Sequence, residues 1–381
     1  MTAPRVAAFT PGPPSRRGGA AYAGALLPAL ARHVDLVLVA PRPVEWGGRT
    51  INPADVDPAD FDLFLHFLAD DPDHLFVYRA ALQWGGLVAC HELLLPHLLP
   101  LATSEDQTLD LVAAFGEERG RAIRARRERN VATHDEAYLL IALSRAVRGA
   151  EAVIVHSRFA RFAIEAELPD VPVFQVPTHV GAVPAEVPPR LEARRQLGIE
   201  SDTFVVGLMG HLGGHKRVET ALAAVATALP RARRHHINLR LLVVGTDLGG
   251  EVTAALHRSR LSDVATVRPS LDDFDFFSHM AALDVLLSLR YPTLGETSAT
   301  MAQAMSLGVA VITSDHAQFA EERAAVRIKP GAKEVEEAAD AIVTLAVCGG
   351  CRSRMAQAGR ARAAEQSVER AALGYTRAIE A

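Results

Sequence analysis

The stretch that decides the fold reads Arg290-Tyr-Pro-Thr-Leu-Gly-Glu-Thr-Ser-Ala-Thr300, then Met301-Ala-Gln-Ala-Met-Ser-Leu-Gly308 and Val309-Ala-Val-Ile312. An apolar run of the kind found in buried strands ends just before it. Thr297 and Ser298 are both good N-cap residues, and the glycine that closes the second stretch is a typical helix stop. The segment therefore predicts a strand, a loop, a helix and a second strand in direct succession.

The start of this predicted helix has the chemistry of an anion site. Free backbone N–H groups and the hydroxyls of Thr297 and Ser298 can hold a phosphate there. The carboxylate of Glu296, one residue earlier, can accept hydrogen bonds from sugar hydroxyls. Together these groups suit a nucleoside diphosphate that carries a hydroxyl-rich substituent.

The same segment resembles the donor-binding loop of the GT-B glycosyltransferases, in particular the large retaining family called glycosyltransferase family 4. Members have an acidic loop, a helix with a Glu-Ala-Met-Ala-x-Gly-like end, and an apolar strand. Gln303 stands where the family has its second glutamate, and Gly295 where it has the first, so Glu296 comes one residue late. The resemblance implies that Glu296 orients the donor sugar and that Gln303 contacts the ribose.

Composition limits the classes of protein that the chain can belong to. Its 381 residues suffice for two domains, and its 49% hydrophobic and 22% charged residues are ordinary for a globular enzyme. A net charge of −5 argues against a general nucleic-acid binder. We expect a cytoplasmic protein, because no leader and no apolar run of membrane-spanning length is present. Cys348 and Cys351 form a Cys-Gly-Gly-Cys pair, a spacing that also occurs in redox and metal sites. We expect this pair to be chemically inert, because no second cysteine pair accompanies it and it lies between late helices rather than after a first strand.

Apolar runs alternate with helical patterns along the whole chain, which predicts α/β sheets covered by helices. Prolines at 184, 188 and 189 separate two series of strands, so we expect two Rossmann-like, doubly wound domains, at 1–182 and 190–361. The predicted strands are 6–9, 36–39, 63–67, 87–90, 153–156 and 173–176, then 204–209, 239–244, 264–267, 285–289 and 309–313. The predicted helices between them include 20–32, 136–148 and 159–167, then 218–228 and 250–258. The GT-B resemblance implies that the domains face each other across a cleft and that a final helix, about 362–381, packs back on the first domain.

A glycine-rich turn opens the second domain, in Gly207-Leu-Met-Gly-His-Leu-Gly-Gly-His-Lys-Arg217. Glycine lets the backbone approach a phosphate, and Lys216 supplies a positive charge at the start of the next helix. A Lys-Arg pair on a solvated surface is the alternative. The motif resembles the family's arginine followed five residues later by a lysine, both on the donor diphosphate. Lys216 fills the lysine position, His211 replaces the arginine, and Arg217 is placed to compensate.

Two motifs in the first domain also resemble family segments. Gly18 and Gly19 precede a predicted helix, as in the glycine pair that approaches the donor phosphates, although an ordinary surface loop is the alternative. His91 follows the fourth predicted strand, and the resemblance places it beside the donor sugar; a purely structural histidine is the alternative. The family's next histidine position holds Pro96, with His97 one residue later. His156 and Ser157 are expected to support the site rather than to react.

Two further regions remain open. The segment from Arg268 to Leu271 follows a strand at the place where GT-B enzymes hold the nucleobase, so we expect both residues in nucleotide binding. The region 100–130 predicts an arginine-rich helix, with six arginines between Arg119 and Arg129. A solvated helix face is one interpretation, and a peripheral contact with a membrane surface or an acceptor is the other.

Together with the GT-B resemblance, these motifs predict a hexosyltransferase-type enzyme that moves a sugar from a nucleotide-sugar donor to an acceptor. The resemblance implies retention of anomeric configuration, no metal and no cofactor, with His91, Lys216 and Glu296 as the catalytic residues. The acceptor stays open among a small molecule, a lipid-linked glycan and a protein glycan, as does the oligomeric state. The alternatives are a non-catalytic GT-B partner subunit, motivated by the departures at His211, Gly295, Gln303 and Pro96, and an inverting transferase or nucleotide-sugar epimerase.

Overall fold

The computed structural model describes residues 3–13, 18–129, 131, 138, 143–181, 183–245, 251–269 and 271–381. The chain forms two compact units, each with its own parallel sheet. The first unit comprises Met1–Gly181, Leu294–Thr297 and Ser367–Ala381, and the second comprises Ala182–Thr293 and Ser298–Gln366. Four residues of the loop quoted at the outset, Leu294–Thr297, thus belong to the first unit, an assignment that sequence patterns do not predict.

The sheet of the first unit has seven parallel strands in the order β3-β2-β1-β4-β5-β6-β7. They are β1 (Arg5–Phe9), β2 (Asp35–Val39), β3 (Arg49–Ile51), β4 (Leu63–Leu68), β5 (Leu87–Cys90), β6 (Ala152–Val155) and β7 (Val173–Gln175). The winding direction reverses between β1 and β4. In open α/β sheets ligands bind outside the carboxyl ends of the strands at such a point.

Helices described in the first unit are α1 (Gly18–Leu30), α2 (Leu75–Trp84), α3 (Ser104–Phe115), α4 (Glu117–Glu128), α5 (Arg145–Arg148) and α6 (Arg158–Glu167). The central strands are buried on both faces, which is why they read as continuous apolar runs rather than as alternating ones. Leu65 and Phe67 of β4 have no exposed surface and join the core that packs under α1.

The sheet of the second unit has six parallel strands in the order β10-β9-β8-β11-β12-β13. They are β8 (Phe204–Met209), β9 (Leu239–Val244), β10 (Ala265–Arg268), β11 (Val285–Ser288), β12 (Ala310–Ser314) and β13 (Val326–Ile328). The winding reverses between β8 and β11. The loops after these two strands, the glycine-rich turn and the segment that begins at Arg290, therefore flank the expected ligand position.

Helices described in the second unit are α7 (Arg190–Gln196), α8 (Val218–Arg234), α9 (Glu251–Arg258), α10 (Asp273–Ala281), α11 (Ala299–Ser306), α12 (Glu334–Val347) and α13 (Gly349–Glu365). The last helix, α14 (Val368–Glu380), returns to the first unit and packs against α1. Its Ala371, Ala372 and Tyr375 recur at helical spacing and are buried in the core of that unit.

The predicted fold class is confirmed, and each predicted strand lies within one residue of an observed one. The strands that sequence patterns miss are β3 and β13, each three residues long and at a sheet edge. Helix α8 extends to Arg234, six residues beyond the predicted end. The predicted helix 136–148 coincides with α5 at its end, and most of its other positions lie outside the described residues.

The arginine-rich helix is α4, and acidic and polar neighbours pair with its arginines. Arg121 pairs with Glu117, and Arg124 donates to Gln107 of α3 at 2.8 Å and lies 3.2 Å from Glu128. These contacts agree with a solvated helix face and leave the membrane contact a prediction. Within the described parts of the chain, no helix is both long enough and apolar enough to cross a bilayer.

Candidate donor site

The turn after β8 is shaped by two glycines that lie against each other. Gly210 has a φ of 98° and donates its N–H to the carbonyl of Val244 at 2.9 Å. Gly245, at the end of β9, has a φ of 149°, and a Cβ there would overlap the carbonyl oxygen of Gly210. Only glycine permits both the backbone conformation and the close approach, so the turn after β8 packs directly against the end of β9.

Lys216 points back over the glycine-rich turn. It ends a short 3-10 helix, Gly214–Lys216, that leads into α8. A Cβ on Gly210 would lie 3.8 Å from Nζ of Lys216 and 3.1 Å from Oγ1 of Thr300, a residue in the first turn of α11. The ammonium group and the start of α11 therefore meet above the end of β8. The fold brings together the two motifs that the sequence assigns to a diphosphate.

Ser298 is the N-cap of α11, one of the two residues that the sequence offers for this position. Its Oγ accepts a hydrogen bond from the N–H of Met301 at 3.3 Å. The helix ends at Ser306, and Gly308 follows with a φ of 76°, as the predicted glycine stop requires. The first turn of α11 contains no acidic residue that would compete with a bound anion.

Arg290 is a candidate site residue that sequence reasoning missed. It is only 5% exposed, and its Nη2 lies 3.5 Å from Oγ of Ser298. Its backbone N–H donates to Oγ of Ser314 at 2.8 Å, which fixes the end of β11 against β12. The guanidinium places a positive charge behind the N-terminus of α11. Its position directly after an apolar strand was the signal available in the sequence.

Arg217 has a structural partner beside the turn. Its φ is 50°, in the left-handed region, and its guanidinium forms an ion pair with the buried Glu334 of α12. The same guanidinium lies 5.7 Å from the ring centre of Tyr291, whose N–H donates to the carbonyl of His215 at 3.0 Å. These contacts hold the turn after β8 against the loop after β11. His211, at the start of the turn, is exposed.

In the first unit, the segment Leu294–Thr297 packs on the loop after β5. The carbonyl of Leu294 accepts from the N–H groups of Leu93 and Leu94 at 2.7 and 3.2 Å. Gly295 has a φ of 87°, and a Cβ on it would lie 2.6 Å from Cγ of Leu93. A side chain at 295 would therefore clash, which gives a packing reason for a glycine where the resembling family has an acid.

The side chains of Glu296 and Thr297 are held within the same segment and its surroundings. Oε2 of Glu296 accepts from the N–H of Leu294 at 2.8 Å, which turns the carboxylate back over its own loop. Oγ1 of Thr297 lies 2.6 Å from Oγ1 of Thr178. Both groups have fixed orientations, as residues that position a substrate require.

An acidic group lies behind Glu296. Oε2 of Glu92 accepts from the N–H of Asp70 at 3.0 Å. Burial, and then the nearby charges of Asp70, Glu296 and Asp71, raise the pKa of Glu92 to about 8, although the Asp70 N–H bond opposes this. His97 binds Asp70 through Nδ1 and Oδ2 at 2.6 Å, and this hydrogen bond raises the pKa of His97.

A cluster of aromatic and imidazole rings surrounds His91, at the carboxyl ends of β5 and β6. The ring of Tyr22 lies 4.7 Å from that of His91, 4.9 Å from that of His156 and 4.1 Å from that of His179. Burial holds the pKa of His91 well below its usual value and lowers those of His156 and His179 to about 4. All three imidazoles are therefore neutral near pH 7.

Hydrogen bonds fix the proton positions on two of these rings. Nδ1 of His156 lies 2.9 Å from the carbonyl oxygen of Val176, which can only accept, so Nδ1 carries the proton. Nε2 of His156 is then an acceptor, and it lies 3.1 Å from Nδ1 of His91. His91 must donate from Nδ1, which leaves its Nε2 unprotonated. Among the described residues, no group lies within hydrogen-bond distance of that buried Nε2.

Comparison with known proteins connects this geometry to a family. Residues 203–347 match the family model described as glycosyl transferases group 1, and the match includes the glycine-rich turn, Arg290 and α11. The chain has the GT-B glycosyltransferase fold. This confirms the predicted resemblance to the GT-B glycosyltransferases, and membership of family 4 stays a prediction. No curated protein matches the chain in sequence.

Solved structures share the GT-B fold over nearly the full chain. Sucrose-phosphate synthase from Thermosynechococcus elongatus is 17% identical with a TM-score of 0.68, over 99% of this chain and 98% of that one. HepE from Anabaena, solved with UDP and glucose, is 16% identical with a TM-score of 0.65, over 99% of both chains. WaaG, a glycosyltransferase of lipopolysaccharide biosynthesis, is 16% identical with a TM-score of 0.64, over 98% of this chain and 99% of that one.

The glycine pair of the first unit has a packing role in this GT-B chain. Helix α1 begins at Gly18, and a Cβ on Gly19 would lie 2.8 Å from Cβ of Ala69 and 3.0 Å from Nε2 of His74. The close approach of α1 to the end of β4 therefore requires a residue as small as glycine at 19. A phosphate contact by either glycine stays a prediction, and the neighbouring positions 14–17 lie outside the described residues.

The predicted nucleotide-binding residues lie at the sheet edge and on α11. Arg268 ends β10, is exposed, and accepts the N–H of Gly245 on its carbonyl at 3.1 Å. Leu271 precedes α10, and Gln303 lies on α11 with its side chain partly exposed. Position 270 lies outside the described residues. Among the described residues, no group of three or more His, Cys, Asp or Glu side chains is placed to hold a metal ion.

Proposed function

We propose that the protein transfers a sugar from a nucleotide-sugar donor to a nucleophilic acceptor. The observation that supports this most directly is the approach of Lys216 and of the first turn of α11 to the same glycine, Gly210. An ammonium group and a helix N-terminus at one point form a site for a dianionic diphosphate. The match of residues 203–347 to the glycosyl transferases group 1 model gives independent support.

Stabilisation of the leaving diphosphate is the main catalytic effect in this proposal. Lys216 supplies a full positive charge, and the N–H groups at the start of α11, with the hydroxyls of Thr297 and Ser298, supply donors. Arg290, buried behind Ser298, adds a second positive charge that cannot turn away into solvent. Donors fixed before the reaction are worth most when charge develops on the leaving group.

The other predicted diphosphate contacts have different parts in the proposal. Arg217 is bound to Glu334, so it shapes the turn and adds only residual positive charge. His211 is exposed at the turn and contacts the diphosphate where the resembling family has an arginine. Gly18 and Gly19 contact the donor phosphates through their backbone N–H groups in this proposal. A histidine that contacts phosphate makes donor binding stronger at acidic pH, where it is charged.

Glu296 and His91 are proposed to contact the donor sugar. Glu296 is held by the N–H of Leu294, so its carboxylate can accept sugar hydroxyls without a large loss of side-chain freedom. His91 is neutral, and its Nε2 is an acceptor because Nδ1 donates to His156. His156 is then a positioning residue. It keeps His91 in the tautomer whose Nε2 accepts a hydrogen bond from a sugar hydroxyl. In that tautomer Nε2 cannot donate a hydrogen bond to a phosphate.

Gln303, Arg268 and Leu271 complete the proposed donor site on the nucleoside side. Gln303 contacts the ribose, with an amide in place of a carboxylate. The backbone between Arg268 and Leu271 holds the base. HepE was solved with UDP and glucose, which makes UDP-glucose the first donor to examine.

We infer retention of configuration, with no metal and no cofactor, from the resemblance to family 4. No side chain in the proposed site is assigned as a nucleophile, so the leaving phosphate itself would receive the acceptor proton on the same face of the sugar. The acceptor class, among small molecules, lipid-linked glycans and protein glycans, has no support from side-chain chemistry. A cytoplasmic location is part of the same proposal.

Thermal unfolding against a panel of nucleotides tests the donor site. UDP, GDP, ADP and dTDP are compared with their glucose conjugates, each with and without EDTA. A ligand at about 100 times its dissociation constant should stabilise the protein by ~2.7 kcal/mol. Selective stabilisation by one nucleotide, unchanged by EDTA, supports the proposal and names the base. No stabilisation by any of them favours the alternative of a non-catalytic partner subunit.

A further inference from the structure

A disulfide joins Cys348, which lies between α12 and α13, to Cys351 in the first turn of α13. The expectation that this pair is chemically inert did not include a bond between its members. The remaining cysteine, Cys90, is buried at the end of β5. The bond lies outside every part of the proposed donor site, so its chemistry is independent of the proposed function.

A stabilising role does not account for this bond. It closes a ring of four residues, and the entropy that a crosslink removes from the unfolded chain is smallest for the shortest loops. The helices that it connects are already neighbours along the chain, since α12 ends at Val347 and α13 begins at Gly349. Both cysteines are also partly exposed, as reactive disulfides are and structural ones usually are not.

The surroundings of Cys348 stabilise a thiolate. Cys348 is the N-cap of α13, a helix of 17 residues, and its Sγ accepts the N–H of Cys351 at 3.1 Å. A helix N-terminus carries partial positive charge, and its N–H groups stabilise a negatively charged sulfur. Because the departing sulfur leaves with the electron pair, the sulfur whose anion is better stabilised is the better leaving group, and this is Cys348.

The surroundings of Cys351 are those of a binding site. Cys351 lines a surface cavity of about 540 Å³ together with Arg323, Arg354, Met355 and Ala358. Nη2 of Arg354 donates to Sγ of Cys351 at 3.4 Å. The rest of the lining is mainly apolar, from the segment before β13 and from α12. A cavity of this size with two guanidinium-bearing residues suits a small ligand that carries an acidic group.

We propose that this cavity binds a low-molecular-weight thiol with an acidic group, and that the bound thiol exchanges with the disulfide at Cys351. The thiolate of the ligand attacks Sγ of Cys351 and forms a new sulfur–sulfur bond. The bond between Cys351 and Cys348 breaks, and its electron pair leaves with Sγ of Cys348. The products are a mixed disulfide on Cys351 and a Cys348 thiolate at the N-terminus of α13. Attack by that thiolate on Cys351 reverses the step.

The direction of attack follows from the two environments. Cys351 faces the cavity, so a thiol held there reaches its sulfur first. Arg354 lies beside that sulfur and attracts an anionic thiol, while Arg323 adds a second cation to the cavity lining. Cys348 accepts a backbone N–H, which favours it as the departing thiolate. Binding, attack and departure thus depend on three different features around the disulfide: the two arginines, the sulfur of Cys351 and the N-cap position of Cys348.

Exchange rates with three thiols test the proposal on the intact protein. The probes are 2-mercaptoethanesulfonate, which is anionic, 2-mercaptoethanol, which is neutral, and cysteamine, which is cationic. Reactions are quenched with acid, and adducts are located by mass spectrometry, with rates corrected for thiolate concentration. We expect the anionic thiol to react roughly ten-fold faster than the neutral one, the cationic thiol to be slowest, and the adduct to be on Cys351.

Variants assign the preference to the cavity. Arg354→Gln and Arg323→Gln should each reduce the advantage of the anionic thiol, whereas Arg234→Gln, at an exposed arginine outside the cavity, should not. Cys348→Ser should accumulate the Cys351 adduct when treated with the symmetrical disulfide of the anionic probe, because nothing then reverses the step. Equal corrected rates for the three thiols with wild-type protein, or adducts on Cys348, would overturn the proposal. This wild-type comparison stands even if a variant does not fold.

Discussion

Nε2 of His156 lies 3.1 Å from Nδ1 of His91, and this contact decides which nitrogen of His91 carries the proton. Because Nδ1 of His156 already donates to the carbonyl of Val176, His156 can offer His91 only an acceptor. The relation joins the carboxyl ends of β5 and β6. The family resemblance places His91 beside the donor sugar, and this contact makes its Nε2 a fixed hydrogen-bond acceptor.

Replacing His156 tests this relation. His156→Phe keeps a ring but removes the acceptor, so His91 is no longer held in one tautomer, and turnover should fall roughly ten- to hundred-fold. His156→Gln presents an amide oxygen near the position of Nε2 and should retain most of the activity. Selective 15N-histidine NMR reads the tautomer directly, with the His91→Gln variant assigning one signal among the 15 histidines.

The tautomer measurement separates two kinds of failure. If His91 stays in one tautomer in His156→Phe and activity still falls, the loss is structural and the positioning role is wrong. If the tautomers mix and activity is unchanged, His91 does not contact the sugar in the proposed way. Neither outcome depends on the identity of the acceptor.

Lys216→Ala should reduce turnover by about 100-fold or more, because it removes the full positive charge proposed to face the leaving diphosphate. The fold should persist, since the side chain of Lys216 lies over the turn that follows β8 and is not part of the core. Lys329→Ala, at an exposed lysine next to β13, is the matched control. Initial rates of nucleoside diphosphate release give the comparison. Wild-type turnover in Lys216→Ala would contradict the assignment.

Glu296→Ala should weaken the use of the whole donor more than the binding of the bare nucleoside diphosphate. Its carboxylate is proposed to accept sugar hydroxyls, which the diphosphate alone lacks. Dissociation constants for the nucleotide sugar and for the diphosphate, measured by calorimetry on both proteins, check this. Equal losses for the two ligands would mean that Glu296 acts through the loop rather than on the sugar.

Glu92 gives the protein a pH dependence on the alkaline side. Its pKa is raised from 4.5 to about 8 in the folded state, so the folded protein retains a proton that the unfolded chain has lost. Stability from this group is therefore present below pH 4.5 and is lost as the pH rises to about 8. Glu92→Gln should be more stable than wild type by at least about 1 kcal/mol at pH 8 and should lose less stability between pH 6 and 8.

Denaturant unfolding at several pH values checks the Glu92 prediction. Glu380→Gln, at an exposed glutamate near the end of α14, controls for the loss of one carboxylate. An identical fall in stability between pH 6 and 8 for wild type and Glu92→Gln would show that Glu92 ionises normally. The burial of Glu92 would then not raise its pKa in the folded protein.

Local signals in the sequence predict most of the strands and the bounds of the donor-loop helix. Ser298 and Gly308 bracket α11 because capping chemistry is local, and the buried strands read as apolar runs because both of their faces are covered. The strands β3 and β13 were missed because three residues at a sheet edge form no recognisable pattern. The predicted helix 218–228 is shorter than α8 because the sequence around Pro230 is typical of a helix end. In the structure α8 continues past Pro230, and Ala228 and Ala232 on either side of it are buried in the core.

Contacts between distant segments account for most of what the sequence left open in the site. The clash of a side chain at 295 with Leu93, the pairing of Arg217 with Glu334 and the contact between His156 and His91 each join residues that are at least 65 positions apart. Propensities and motif spacing carry no information on such pairs. Arg290 differs, because its place directly after a strand in the donor segment is a local signal that the sequence does contain.

Turnover of a nucleotide sugar tests the central claim most directly. The sugar nucleotide whose base stabilises the protein is incubated with it in water, and the anomeric proton signals are followed by NMR. The account predicts slow loss of the donor signal, release of the nucleoside diphosphate and a sugar product that first appears with the configuration of the donor, all greatly reduced in Lys216→Ala. A donor that binds but is never consumed, even with sugar, lipid-linked and glycopeptide acceptors added, would contradict the claim that this chain is a transferase.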